Sequence, residues 1–99
     1  MPAEAFTAPA PALSAGVRRR ARSRPRTLVR WRLVGEPDSV RAVAAIEVRD
    51  ARRRLLARRP ARTASAWVSR RRGRIAVRAV DAAGVPLAEA RVRLDPRRR

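Results

Sequence analysis

The side chains of this protein that could do chemistry are carboxylates, hydroxyls and guanidiniums, and they are unevenly supplied. Glu36 and Asp38 flank Pro37 and come nearest to a paired-carboxylate or cation site. No further ligand residues stand beside them, and a turn explains them better. Ser14, Ser23, Ser39, Ser65 and Ser69 have no His to activate them, and without Lys a Ser–Lys pair is impossible. The missing His also removes the commonest general base and the commonest metal ligand together. Without Cys there is neither a disulfide framework nor a thiolate metal site. The four glycines stand far apart, so no phosphate-cradling loop is present. The expectation is a non-enzyme with no catalytic residue, no cofactor and no metal.

Arginine is what remains. All 26 basic residues are Arg, against eight acids, for a net charge of +18. Twelve of them form four triplets: Arg18, Arg19 and Arg20; Arg52, Arg53 and Arg54; Arg70, Arg71 and Arg72; Arg97, Arg98 and Arg99. Such an excess favours polyanions by bulk electrostatics, and the guanidinium fork suits bidentate contact with phosphate better than Lys. A compositional cause competes. Asn, Gln, Tyr, Lys, His and Cys are absent while Ala, Arg, Val and Pro abound, as in the product of a very GC-rich gene. That bias accounts for Arg in place of Lys and less well for the shortage of acids.

The elements that position these groups read as strands. Residues 1–8 read as a flexible leader, 9–17 as an edge strand tolerant of Pro, and Arg18–Arg26 as loop. Thr27–Val34 alternates cleanly, with Val29, Trp31 and Leu33 on one face and Arg30 and Arg32 on the other. Gly35–Ser39 is turn chemistry. Val43–Arg49 reads as a strand with Ala44, Ile46 and Val48 inward and Glu47 and Arg49 outward, although Arg41–Leu56 also has the composition of a helix. Leu55–Ala57 is a short strand ended by Arg59-Pro60. Thr63–Ser69 is another, with either Ala64, Ala66 and Val68 or Ser65 and Trp67 inward. Arg74–Leu94 is the most regular stretch, two alternating runs around Asp81-Ala82-Ala83-Gly84, hence a hairpin. Short strands with a turn every 8–12 residues indicate an all-β sandwich.

Ninety-nine residues make one domain with a modest core. No apolar run approaches the roughly 20 residues needed to cross a bilayer. The start of the chain lacks a basic n-region, prolines interrupt any h-region, and no apolar stretch follows Arg18–Arg20, so neither a secretory nor a twin-arginine signal is visible.

Over residues 9–95 the chain resembles a fibronectin type III or bacterial immunoglobulin-like domain. Pro9-Ala10-Pro11-Ala12-Leu13 is similar to that family's opening edge strand, Val29-Arg30-Trp31 to its second strand with a buried Trp, and Ile46-Glu47-Val48-Arg49 to its third. The run from Ile75 to Gly84 resembles the penultimate strand and its following loop. Ile46 and Ile75 stand where the family usually has Tyr, Val85 replaces the polar residue often found after Ala-Gly, and no family ligand motif is present. The resemblance implies a seven-stranded antiparallel immunoglobulin-like β-sandwich over 9–96, followed by a basic tail at 97–99. It implies a non-catalytic interaction or spacer module for a protein or glycan, secreted or at the cell surface if part of a longer protein and otherwise cytoplasmic. If consecutive strands run antiparallel, the connections alternate between two ends, and all four arginine triplets fall at one of them. That makes the twelve triplet arginines the candidate site for the alternative role, non-specific binding of nucleic acid or a sulfated or phosphorylated polymer. A base-stacking platform is poorly supplied, with three aromatic residues in the chain.

Overall fold

The computed structural model describes residues 10–20, 26–69 and 72–94, with backbone alone at 19 and 20. The element order is β1 (Ala12–Arg20), β2 (Thr27–Val34), α1 (Pro37–Arg41), β3 (Ala45–Asp50), β4 (Leu55–Pro60), β5 (Ser65–Val68), β6 (Arg74–Val80) and β7 (Pro86–Arg93). These strands form two antiparallel sheets, one ordered β1-β2-β5 and the other β4-β3-β6-β7. The fold is all-β. The reading of 41–56 as a helix fails, because β3 and β4 pair with each other across that stretch.

Alternation in the sequence decides which residues meet between the sheets. From the three-stranded sheet come Val29, Trp31, Ala66 and Val68; from the four-stranded sheet come Ile46, Val48, Val77 and Val92, all in one buried cluster. Trp31 is the largest of these side chains, and it buries its ring without stranding its polar atom: Nε1 donates to the Thr63 carbonyl at 2.8 Å. In β5 the ambiguous face resolves to Ala66 and Val68 inward. The exact alternation of buried and half-buried residues then puts Trp67 on the outside.

Several expectations need correction. Arg18–Arg20 are not loop: pairing with β2 continues past Val17, through a bulge at Arg18, to Arg20 opposite Thr27. Gly35–Ser39 is not simply a turn, since Pro37 at the first helical position presets one helical turn, closed by Val40 N–H to the Glu36 carbonyl. Ala44 is exposed and precedes β3, whose inward residues are Ile46 and Val48. Glu47, expected outward, does face outward, yet it is buried at 6% exposure beneath its arginine partners. Arg59-Pro60 does not stop the fourth strand. β4 is an edge strand, where the missing proline N–H costs no ladder bond. The expected leader at 1–8 and tail at 97–99 lie outside the described residues.

Candidate anion-binding surfaces

Two hairpin turns show how the same backbone is written in different residues. In Asp50–Arg54, Oδ1 of Asp50 accepts from the N–H groups of Arg52 and Arg54, both at 2.9 Å. In Asp81–Val85, Oδ1 of Asp81 accepts from Ala83 and Val85, both at 2.9 Å. Each turn also has an N–H to C=O bond from its fourth residue to its Asp. The fourth residue is left-handed in both: Gly84 at φ 83° and Arg53 at φ 65°. This is the three-residue hairpin loop that ends in a left-handed position, normally glycine. Arg53 therefore carries strain that Gly84 avoids. It is held there partly by Arg49, whose Nη1 donates to the Arg53 carbonyl at 2.8 Å.

The first of these turns sits beside the start of β6, because Asp50 is in register with Ile75. Arg52 and Arg54 from the turn, with Arg72 and Arg74 from the segment entering β6, line an open cleft of about 420 Å³. Asp50 is the one carboxylate of that cleft, and its Oδ1 already serves the turn. Two of the expected triplets thus contribute to one place. Arg53 is exposed but occupied in turning the chain. Arg18 goes elsewhere, to a groove on the outer face of the three-stranded sheet together with Arg30 and Arg32. The side chains of Arg19 and Arg20, and all of Arg70, Arg71, Arg97, Arg98 and Arg99, lie outside the described residues. Arg74 was missed by the triplet pattern; its signal was the alternation of β6, which starts directly after Gly73.

The outer face of the four-stranded sheet is built differently. Register places Arg58 of β4, Glu47 of β3, Arg78 of β6 and Glu89 of β7 side by side in one row across all its strands. Charges alternate along that row. Glu47 accepts from Arg58 at 3.1 Å and from Arg49 at 3.0 Å. Glu89 accepts from Arg78 at 2.6 Å and from Arg91 at 3.3 Å. The Arg78 hydrogen bond holds the Glu89 carboxyl below its ordinary value, outweighing the opposing effect of burial, with further help from Arg91. Cross-strand opposite charges of this kind stabilise a sheet, so these arginines are spoken for.

Among the described residues no group of three or more His, Cys, Asp or Glu could hold a metal ion. None of their helices is long and apolar enough to cross a membrane. Compared with protein-family models, curated proteins and solved structures, the chain matches none.

Proposed function

We propose that this chain is a non-catalytic interaction module of the fibronectin type III kind. Its strand order supports the reading. A constant-type immunoglobulin sandwich puts strands one, two, five and four in one sheet and three, six and seven in the other. Here the fourth strand has joined the third, giving β1-β2-β5 and β4-β3-β6-β7. A rigid sandwich presenting loops and sheet faces suits binding or spacing. The residues expected to be unable to run acid–base or nucleophilic chemistry fit that role.

The contact we assign to the module is anionic, and one observation carries it: Arg52, Arg54, Arg72 and Arg74 converge on one cleft at the end of the four-stranded sheet. No ion pair joins any of these four to a carboxylate among the described residues. Four guanidiniums gathered around the single carboxylate of Asp50 repel one another, and a polymer of phosphate or sulfate groups relieves that repulsion while releasing its own counterions. Binding of inorganic polyphosphate, followed across salt concentration, tests the assignment. The expected result is a steep salt dependence that becomes shallower when Arg52, Arg54 and Arg72 are replaced together by Ser. An unchanged slope in that variant removes this end of the sheet as the contact.

A further inference from the structure

A second basic surface lies away from that cleft, and it differs in having an aromatic partner and a groove. On the outer face of the three-stranded sheet, Ser14 lies opposite Arg32 and Gly16 opposite Arg30, with Ser65 of β5 completing the Gly16 row. Gly16 forms an open floor: a Cβ built there would meet nothing within 4 Å. Around this floor runs a groove of about 640 Å³ edged by Ser14, Arg18, Arg30 and Arg32. Arg18 reaches it from the bulge between Val17 and Arg19, the kind of irregularity that re-aims a side chain. One row further along, Leu28 pairs with Trp67, and the Arg26 guanidinium carbon lies 5.0 Å above the centroid of the Trp67 ring. No ion pair joins Arg18, Arg26, Arg30 or Arg32 to a carboxylate among the described residues.

We infer that this face binds single-stranded nucleic acid, its backbone along the Arg18, Arg30 and Arg32 groove and a base stacked on the Arg26–Trp67 pair. Charge complementarity supplies the backbone contact. Alternate positions on a strand are about 6.7 Å apart, so Arg30 and Arg32 present successive cations along one line. Guanidinium planes and aromatic rings are the two surfaces on which proteins stack unpaired bases, and here they are already layered. A duplex hides the faces of its bases, and reading its major groove takes an inserted helix or ribbon, which a sheet face does not offer. A sulfated polysaccharide would use the arginines but gain nothing from the stacked pair. The inference does not rest on the arginine cleft at the sheet end, and the variants below tell the two apart.

The test is titration of the whole chain with a short oligothymidylate, followed by tryptophan fluorescence and repeated at several salt concentrations. Trp31 is buried at 4% exposure but also lines the groove, so the change in emission is assigned to Trp67 by the Trp67→Phe variant, which keeps Trp31. The strand is expected to quench that emission, and Trp67→Phe to abolish the quenching. Replacing Arg18, Arg30 and Arg32 together by Ser is expected to make the log–log salt slope shallower by about 2, at about 0.7 for each lost phosphate contact on a single strand. Replacing Arg52, Arg54 and Arg72 by Ser should leave the quenching in place. A thermal melt of each variant confirms that it is folded. The inference is overturned if the strand does not bind or binds without quenching. It is equally overturned if the Arg18/Arg30/Arg32 variant keeps its slope, or if duplex DNA or heparin changes the emission as strongly as the single strand.

Discussion

The outer faces of the two sheets are made from the same few residue types and differ in whether their arginines are paired. On the four-stranded sheet, four arginines share two carboxylates: Arg49 and Arg58 on Glu47, Arg78 and Arg91 on Glu89. On the three-stranded sheet Arg30 and Arg32 are exposed, and no ion pair holds either of them among the described residues. A coding bias toward arginine explains why both faces are rich in it, but it does not place both outer-face acids on one of them. Pairing makes the first face part of the fold. Lack of pairing leaves the second as the face with charge to offer a ligand.

The largest expected effect breaks the paired face. Glu47 is nearly buried, with its side chain 8% exposed, while that of Arg58 is 54% exposed. Removing a fully buried partner costs about 3–5 kcal/mol, but here the orphaned arginine can still reach water. Glu47→Ala is therefore expected to lower the unfolding free energy by about 2 kcal/mol, read by urea denaturation. A loss within about 0.5 kcal/mol, the range of ordinary surface changes, would mean that the row of alternating charge does not hold the sheet together.

Next come the twin turns. Gly84→Ala should cost about 1 kcal/mol, because a Cβ is strained at φ 83°. Arg53→Gly should gain up to about 1 kcal/mol less the added freedom of the unfolded chain. It keeps the backbone carbonyl that Arg49 uses. The two melting shifts should therefore have opposite signs; shifts of the same sign would show that the turns are not equivalent.

Acid should protonate Glu89 below the ordinary glutamate range. Its pKa is lowered in the folded state, chiefly by the Arg78 hydrogen bond. The stability it contributes is therefore fully present above the unfolded glutamate value and is lost as pH falls through the lower folded value. Arg91 is 83% exposed and Glu89 30% exposed, so the contribution is under about 1 kcal/mol. Glu89→Gln should flatten the fall in stability from about pH 4 downward, the ordinary glutamate value being about 4.3, and leave neutral pH little changed. An identical acid profile in the variant would contradict the pairing.

Much of this architecture was legible in the residues. The alternation of Thr27–Val34 and of Arg74–Val80 located β2 and β6 and named their buried faces, because period two is a local property. Asp81-Ala82-Ala83-Gly84 declared its turn through glycine. Asp50–Arg54 folds the same way, but an arginine in the left-handed position carries no such signal. The alternation gave Glu47 its outward direction but not its burial, which depends on Arg58, eleven residues later and brought to it only by strand register. Arg18 was misplaced for a similar reason: a bulge is a property of two paired strands, and neither strand announces it alone. Size favoured burying Trp67, and its parity, opposite to that of the buried Ala66 and Val68, settled it on the outside.

The smallest expected effect on stability belongs to the unpaired face, and it allows the most direct test of the contrast. Arg30→Ser with Arg32→Ser, and Arg78→Ser with Arg91→Ser, each remove two positive charges from the outer face of one sheet. The measurement is the salt dependence of oligothymidylate affinity for both double variants beside the parent chain. Loss at Arg30 and Arg32 is expected to make the slope shallower by about 1.4 while stability stays within about 0.5 kcal/mol; loss at Arg78 and Arg91 is expected to lower stability and leave the slope near that of the parent. Equal slopes in the two double variants would contradict the division of labour between the faces and leave only the net charge to explain binding.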